Sequence, residues 1–431
     1  MRILHTSDWH LGRGFHGVPL LDEQAEVIDR VVSLTVEHHV ELVVIAGDLF
    51  DRAIPPASAV DLFDDALARL HATGACVVAI SGNHDSAVRV GVNDRLLNEM
   101  GVAVRGQVGR ITEPLVMAEP ADGGPPVAVY LVPYLEPSVD LDLLTALAEP
   151  VPVAVMGSPA EAPLSSGRSD VGLADAGEEE GIEAVQVAGW SKRPNHDQVT
   201  RLAARAIRRH LGSLGPARSV VVAHTFVAGG AVSESERDLS VGGVERVAVD
   251  VFAGFDLVAL GHLHQPQTLH GDRVAYSGSP LPYSFSEEAQ VKSVRIVDLG
   301  IDGSVTAETV PLRVGRSLRT ITGTLQDLLE DPVFDDAVDA RVRARLTDPH
   351  LPGQAMARLR RRFPHAVELR HEPMGMDPSD PSVVTALATL ESLAPLDLVL
   401  RFWAEQQGAS ATAPERRLLE RAVAASLAAE P

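Results

Sequence analysis

Residues 1–13 read MRILHTSDWHLGR, in which a short apolar run, 1–6, breaks off into Asp8 and His10. Four other runs behave in the same way. LVVIA (42–46) leads into GDLFD, CVVAIS (76–81) into GNHD, VVVA (220–223) into HT, and LVAL (257–260) into GHLH. Runs this short, rich in Val and Ile and closed by Gly, Asp or His, read as buried strands. Helical patterns at 22–38 and 57–71 lie between them, and the alternation predicts an α/β fold with helices covering a sheet. No repeat of 20–50 residues is visible.

Every one of these runs delivers potential metal donors: Asp8 and His10, Asp48, Asn83 and His84, His224, then His262 and His264. Carboxylate, amide oxygen and imidazole together suit borderline divalent ions such as Mn²⁺, Fe²⁺ or Zn²⁺, not the thiolate sites of structural zinc. At the carboxyl ends of strands in an α/β sheet such side chains converge on one crevice. Eight donors exceed what one ion needs, and a shared carboxylate would hold two. A single D-x-H or H-x-H is a weak signal. GD and GN are common turn dipeptides, so turns alone account for Gly47 and Gly82. The metal reading rests on five motifs in order, each ending an apolar strand.

The chain has 431 residues, a length that favours two or three domains. Its net charge of −22 argues against a protein that coats nucleic acid non-specifically. The distribution is uneven, however. Between Glu119 and Glu183 there are thirteen acidic residues and one basic residue, Arg168; between Arg341 and Arg370 there are eight Arg against Asp348 and Glu368. Contact with nucleic acid would therefore be local. Cys76 is the only cysteine, so no internal disulfide forms and a cytoplasmic location is expected. No run of eighteen apolar residues is present, and the N-terminus lacks the features of a signal peptide.

From 141 to 187 the pattern dissolves into Pro, Gly, Ser, Ala and acid, which reads as a loose acidic insertion, or alternatively a small ordered subdomain. After about residue 315 the style changes. Strands at 319–323, 341–346 and 366–370 with an Arg-rich helix at 354–363 suggest a small α+β domain. Beyond Pro381 the chain reads as helical. Leu396, Val399, Leu400 and Trp403 form one stripe, and Leu419, Val423 and Leu427 another.

The ordered set D-x-H, GD-x-x-D, GNHD, H and GH-x-H resembles the calcineurin-like metallophosphoesterase superfamily. The longer stretches HTSDWHLGR, AGDLFDRAIPP, SGNHD, SESERDLSVGG, FDLVALGHLHQPQ and YSGSPLPYSFSE are similar to the bacterial SbcD nuclease subunits. The resemblance implies a β-sandwich flanked by helices over 1–314, a capping domain at 315–375 and a helical hairpin at 376–431. It assigns one metal to Asp8, His10 and His264, the other to Asn83, His224 and His262, and the bridge to Asp48. His84 would act on the phosphate, either stabilising charge or protonating the leaving oxygen. Asp51 would orient His84, or serve only as a helix cap. Arg13 and Arg52 are candidate phosphate contacts, with ion pairing the competing account.

By the same resemblance the reaction is hydrolysis of DNA phosphodiesters, 3′→5′ on duplex ends and endonucleolytic on hairpins or single strands. Two divalent ions would serve it, Mn²⁺ before Mg²⁺. The chain contains no G-x-x-x-x-G-K-[ST] loop; ATP would be used by an SbcC-type coiled-coil ATPase partner, with two copies of each chain in a heterotetramer and no membrane. Two rival expectations stand beside it: a phosphodiesterase for small substrates on the same fold, and a metal-free scaffold protein.

Overall fold

The computed structural model describes residues 1–149, 194–236, 246–373, 393–407 and 409–428. The chain divides into two compact units, Met1–Arg319 and Thr320–Pro431. Two six-stranded sheets build the first. One runs in the order Val305–Pro311, Ser293–Leu299, Arg2–Thr6, Leu42–Ile45, Cys76–Ile80, Val102–Arg105. Its last four strands are parallel, and the two at the other edge pair antiparallel. The second runs Gln267–His270, Val274–Tyr276, Leu257–Gly261, Arg218–His224, Val127–Val132, Leu115–Met117, with four parallel strands inside antiparallel edges.

Side-chain alternation sorts these strands into layers. Ile3, Val44 and Val78 of the first sheet meet Val129, Val220, Val222 and Ala259 of the second in one core. The opposite face of the second sheet, with Ala128, Tyr130, Val221 and Leu260, packs on Leu144, Val199, Ala203 and Ile207 from two helices. Helices Leu21–Glu37 and Ala57–Ala72 bury Val27, Ile28, Val31 and Leu34, and Phe63, Ala66 and Leu70. The result is the helix-flanked β-sandwich anticipated above. Parallel strands Arg2–Thr6, Leu42–Ile45 and Cys76–Ile80, and likewise Arg218–His224 and Leu257–Gly261, end on the same edge of their sheets. All five metal-donor motifs therefore leave from one rim.

One correction concerns the acidic stretch. Residues 141–148 belong to helix Pro137–Ala148, opened by Pro137 in its first turn and anchored by buried Leu144 and Ala148. Composition hid this because these eight residues run straight into the Pro-, Gly-, Ser- and acid-rich stretch that follows them. The remainder of the proposed insertion, from 150 onward, lies outside the described residues, as do 374–392 at the start of the proposed tail.

In the second unit strands Leu318–Gly323, Arg341–Leu346 and Ala366–His371 form a sheet in that order. Helix Ala355–Arg362 connects the last two, which are parallel. Leu325, Leu328, Val342, Ala344, Leu359 and Phe363 make its core. Helices Pro395–Gln407 and Ala413–Ala428 pack on one another. Leu396, Val399, Leu400, Trp403, Leu419 and Val423 are half-buried, whereas Phe402 and Leu418 are exposed. Among the described residues no helix is long and apolar enough to cross a membrane.

His5 sits between the two sheets and donates from Nε2 to the Leu260 carbonyl at 3.0 Å. Burial, and then the charge of Arg295, push it down to about 3. Its unfolded value is about 6.5. Between these values the unfolded chain binds a proton that the folded chain refuses, so stability present above pH ~6.5 is lost as pH falls toward ~3. In metal-free protein His5→Met is therefore expected to flatten the acid limb of stability by up to about 1.4 kcal/mol per pH unit between pH 6 and 4. Denaturant unfolding at several pH values measures it. An unchanged slope would mean that folded His5 takes up the proton.

Candidate metal centre

The backbone at this rim is unusual. Asp8, His10, Asp48 and His262 have φ of 54°, 45°, 48° and 111°, a region that non-glycine residues rarely occupy. Such strain costs of order 1–3 kcal/mol per residue and collects at functional sites. Gly82 is required here by space, beyond any turn preference: a Cβ there would strike the Asp48 carboxylate and main-chain nitrogen.

The side chains converge. One ligand-competent atom each from Asp8, His10 and His264 lie within 4.8 Å of one another, as do those of Asp8, Asp48 and His224, and of His10, Asp48 and His84. His10 Nε2 faces His264 Nε2 at 3.1 Å. Asn83 Oδ1 lies 2.9 Å from His224 Nε2 and 3.1 Å from His262 Nδ1. Asp48 Oδ2 stands between the two sets, 3.5 Å from His10 Nε2 and 3.6 Å from His224 Nε2. The seven donors named from the sequence thus surround one space, and Asp48 reaches both halves of it.

Electrostatics fits cations in that space. Burial lowers His10 and His224 and brings His262 down to about 3, leaving these rings neutral with a lone pair to give. Burial, and then the Asp48 charge, push Asp8 well above the usual carboxylate range. Burial pushes Asp48 up as well, but His224 and His84 and the His84 N–H outweigh it and hold Asp48 low. Two buried carboxylates that repel one another, ringed by neutral imidazoles and an amide oxygen, form a donor set suited to divalent ions of borderline hardness.

His84 is placed differently from the sequence expectation. Its Nδ1 donates to the main-chain carbonyl of Asp51 at 2.9 Å, while the Asp51 carboxylate lies 3.7 Å from Arg13 Nε. The cause is local. Leu11 and Phe50 form a bridge, and Asp51 N donates to the Leu11 carbonyl, which fixes the main chain at 51. Arg13 also donates to the Ser235 carbonyl and lies over the Tyr283 ring, whereas Arg52 is exposed.

Asp85, not singled out from the sequence although GNHD contains it, accepts from Leu49 N, Phe50 N and Gly82 N at 2.9–3.0 Å. It ties the loop carrying Asp48 to the loop carrying Asn83 and His84. Ser7 and Glu236 were missed as well. Ser7 Oγ donates to the Asp8 carboxylate, and Glu236 accepts from His264 N.

A multi-donor centre of this kind, at the strand ends of a two-sheet sandwich, defines a metal-dependent phosphoesterase. Residues 1–266 match the model described as calcineurin-like phosphoesterase. The chain belongs to that family. Residues 314–407 match a second model, SbcD_C, described as the type 5 capsule protein repressor C-terminal domain. Similar solved structures include a protein of Thermus thermophilus, 13% identical, covering 72% of this chain and 99% of that one at a TM-score of 0.37. A dimetal phosphatase from Danio rerio is also 13% identical, covering 72% of this chain and 96% of its own at a TM-score of 0.38.

Proposed function

We propose that this chain is the nuclease subunit of an SbcCD-type complex, a cytoplasmic assembly that hydrolyses DNA phosphodiesters in repair, recombination and replication. The observation that carries this reading is the presence on one chain of the donor-lined centre and of the SbcD_C match at 314–407. Asp8, His10 and His264 would hold one divalent ion, Asn83, His224 and His262 the other, and Asp48 both. When bound, such ions offset charge on a phosphodiester and make water more acidic. Mn²⁺ is favoured because imidazole-rich sites suit it better than Mg²⁺, which prefers oxygen donors and gives up water reluctantly.

His84 supplies proton chemistry. Because Nδ1 donates to the Asp51 carbonyl, the proton exchanged with a substrate sits on Nε2. Several arginines of the second unit are engaged in its own structure. Arg343 and Arg370 bind Glu368, Arg362 binds Asp335 and the Leu328 carbonyl, and Arg360 binds the Ala366 carbonyl. Arg358 and Arg361 are exposed on helix Ala355–Arg362, three residues apart, and are assigned to DNA phosphates.

Partner contacts are assigned to two surfaces. The helical pair at the C-terminus offers exposed Leu398, Phe402 and Leu418 for an SbcC-type ATPase. In the first unit exposed Val60 and Val92 line a cavity of about 390 Å³ with Phe50, Phe63 and Leu97, a surface for a second copy of the chain.

The test is a Mn²⁺-dependent assay on end-labelled duplex and hairpin DNA, with and without the ATPase and ATP. Cleavage of both DNAs, stimulated on duplex by the partner, is expected. Arg358→Glu with Arg361→Glu should weaken duplex binding and lower its salt slope by about one for each arginine that meets a phosphate. Turnover of a small chromogenic diester should not change in that variant. Hydrolysis of the small diester with no action on DNA would sink the nuclease reading.

A further inference from the structure

Two sequence stretches left without a role, the described residues 233–236 of SESERDLSVGG and YSGSPLPYSFSE (276–287), meet behind His264. Ser235 Oγ lies 2.5 Å from His264 Nδ1 and donates to the Glu287 carboxylate. Glu287 is buried and paired with Lys292 at 2.6 Å. It also accepts from Ser233 Oγ at 3.1 Å and from Tyr283 N at 3.2 Å. Lys292 Nζ in turn donates to the His264 carbonyl at 2.9 Å, and His264 N donates to Glu236 at 2.7 Å. Ring and main chain of one residue are held from three sides.

Hydrogen-bond direction follows from the carboxylate. An ionised carboxylate only accepts, so the Ser235 hydroxyl spends its single proton on Glu287. Its oxygen must then accept from the ring. His264 Nδ1 therefore carries the proton, and Nε2, 3.1 Å from His10 Nε2, presents its lone pair to the centre. A buried ion pair such as Glu287–Lys292 is costly to desolvate and weak evidence for stability as such. Placed here, it keeps a negative acceptor behind the serine.

We propose that Ser235 and Glu287 are positioning residues, a carboxylate–hydroxyl–imidazole chain that locks His264 in the Nδ1-protonated tautomer with Nε2 aimed at Asp8 and His10. The inference rests on the reading of His264 as a metal donor. Groups that orient a ligating histidine are typically worth about 10–100-fold in metal affinity.

Metal-free full-length protein would be titrated with Mn²⁺ by calorimetry, alongside ¹⁵N-histidine spectra that report the tautomer of each ring. Ser235→Ala is expected to weaken one of two ions by about 10–100-fold and to erase the Nδ1-protonated signature of His264. Ser235→Thr, which keeps the hydroxyl, should restore both. Glu287→Gln still offers an oxygen to the serine and is expected to lose several-fold. Unfolding midpoints of the metal-free variants separate this effect from collapse of the fold. His264→Ala distinguishes the two layers of the argument. If His264→Ala weakens an ion while Ser235→Ala and Glu287→Gln bind both as wild type, the positioning role is wrong. Two ions bound with wild-type affinity in His264→Ala would overturn the donor reading, and the positioning role with it.

Discussion

Asp48→Ala is expected to lose at least one of two ions and, with it, cleavage. Asp48 Oδ2 is the carboxylate oxygen placed between the two donor sets, within 3.5 Å of His10 and 3.6 Å of His224. Its other oxygen accepts the His84 N–H at 2.9 Å, so the same side chain also anchors the loop that carries His84. Removing it takes away the anion that stands nearest to both His10 and His224. Leaving a buried charge without its partner costs about 3–5 kcal/mol, equivalent to roughly 10²–10⁴-fold in affinity.

Metal-free stability should move in a different direction. Asp48 is the nearby charge that helps burial push Asp8 up, so its removal relieves a repulsion when no cation is present. Metal-free Asp48→Ala should consequently melt near wild type, while the rise in melting temperature on adding Mn²⁺ shrinks. An ion at 100 times its dissociation constant stabilises by about 2.7 kcal/mol, and most of that vanishes if the constant rises 100-fold. Two ions bound to Asp48→Ala with unchanged affinity would contradict the bridging role.

The rim was legible because its physics is repetitive. Parallel strands buried on both faces are short and largely apolar, so the clusters of polar residues where each strand ends stand out. Asp8, Asp48 and His262 could be found by that rule with no knowledge of the fold. The tautomer relay behind His264 could not. Ser235 and Glu287 are 52 residues apart, one in a loop and the other closing the single 3-10 turn Phe285–Glu287, and neither sits at a strand end or in an amphipathic helical period. Asp51 fails for another reason: a motif names a side chain, while the contact with His84 runs through the main chain. In the tail, periodicity found the half-buried positions Leu396, Val399, Leu400, Trp403, Leu419 and Val423 but not what covers them, and the Leu427 side chain lies outside those described. Packing of the two helices on one another leaves Trp403 half-buried and its neighbour Phe402 exposed, which is why Phe402 is assigned to the partner surface.

His84→Gln is expected to keep two ions and a near-normal melting temperature while lowering DNA cleavage by roughly 10²–10⁴-fold, about 2.7–5.4 kcal/mol of barrier. Geometry makes this a real choice, since His84 forms a ligand-competent group with His10 and Asp48 and its ring lies 4.7 Å from that of His10. The hydrogen bond from Nδ1 to the Asp51 carbonyl leaves Nε2 free, as a ligand or a proton donor would both need, so the choice rests on the number of other donors. That bond fixes a half-buried ring with one remaining nitrogen, Nε2, and seven other candidate donors would be available to the ions, so the proton role is the one proposed for it. A general acid at that nitrogen matters in proportion to the basicity of the leaving oxygen. DNA leaves as an alkoxide and needs the proton, whereas a nitrophenolate does not. The same variant should therefore cleave a nitrophenyl diester within about tenfold of wild type, well short of the loss on DNA. An equal loss on both substrates would mean that His84 stabilises phosphate charge and donates no proton. Loss of an ion by elemental analysis would make it a ligand, and the acid on the leaving oxygen would have to be sought among other groups of the rim.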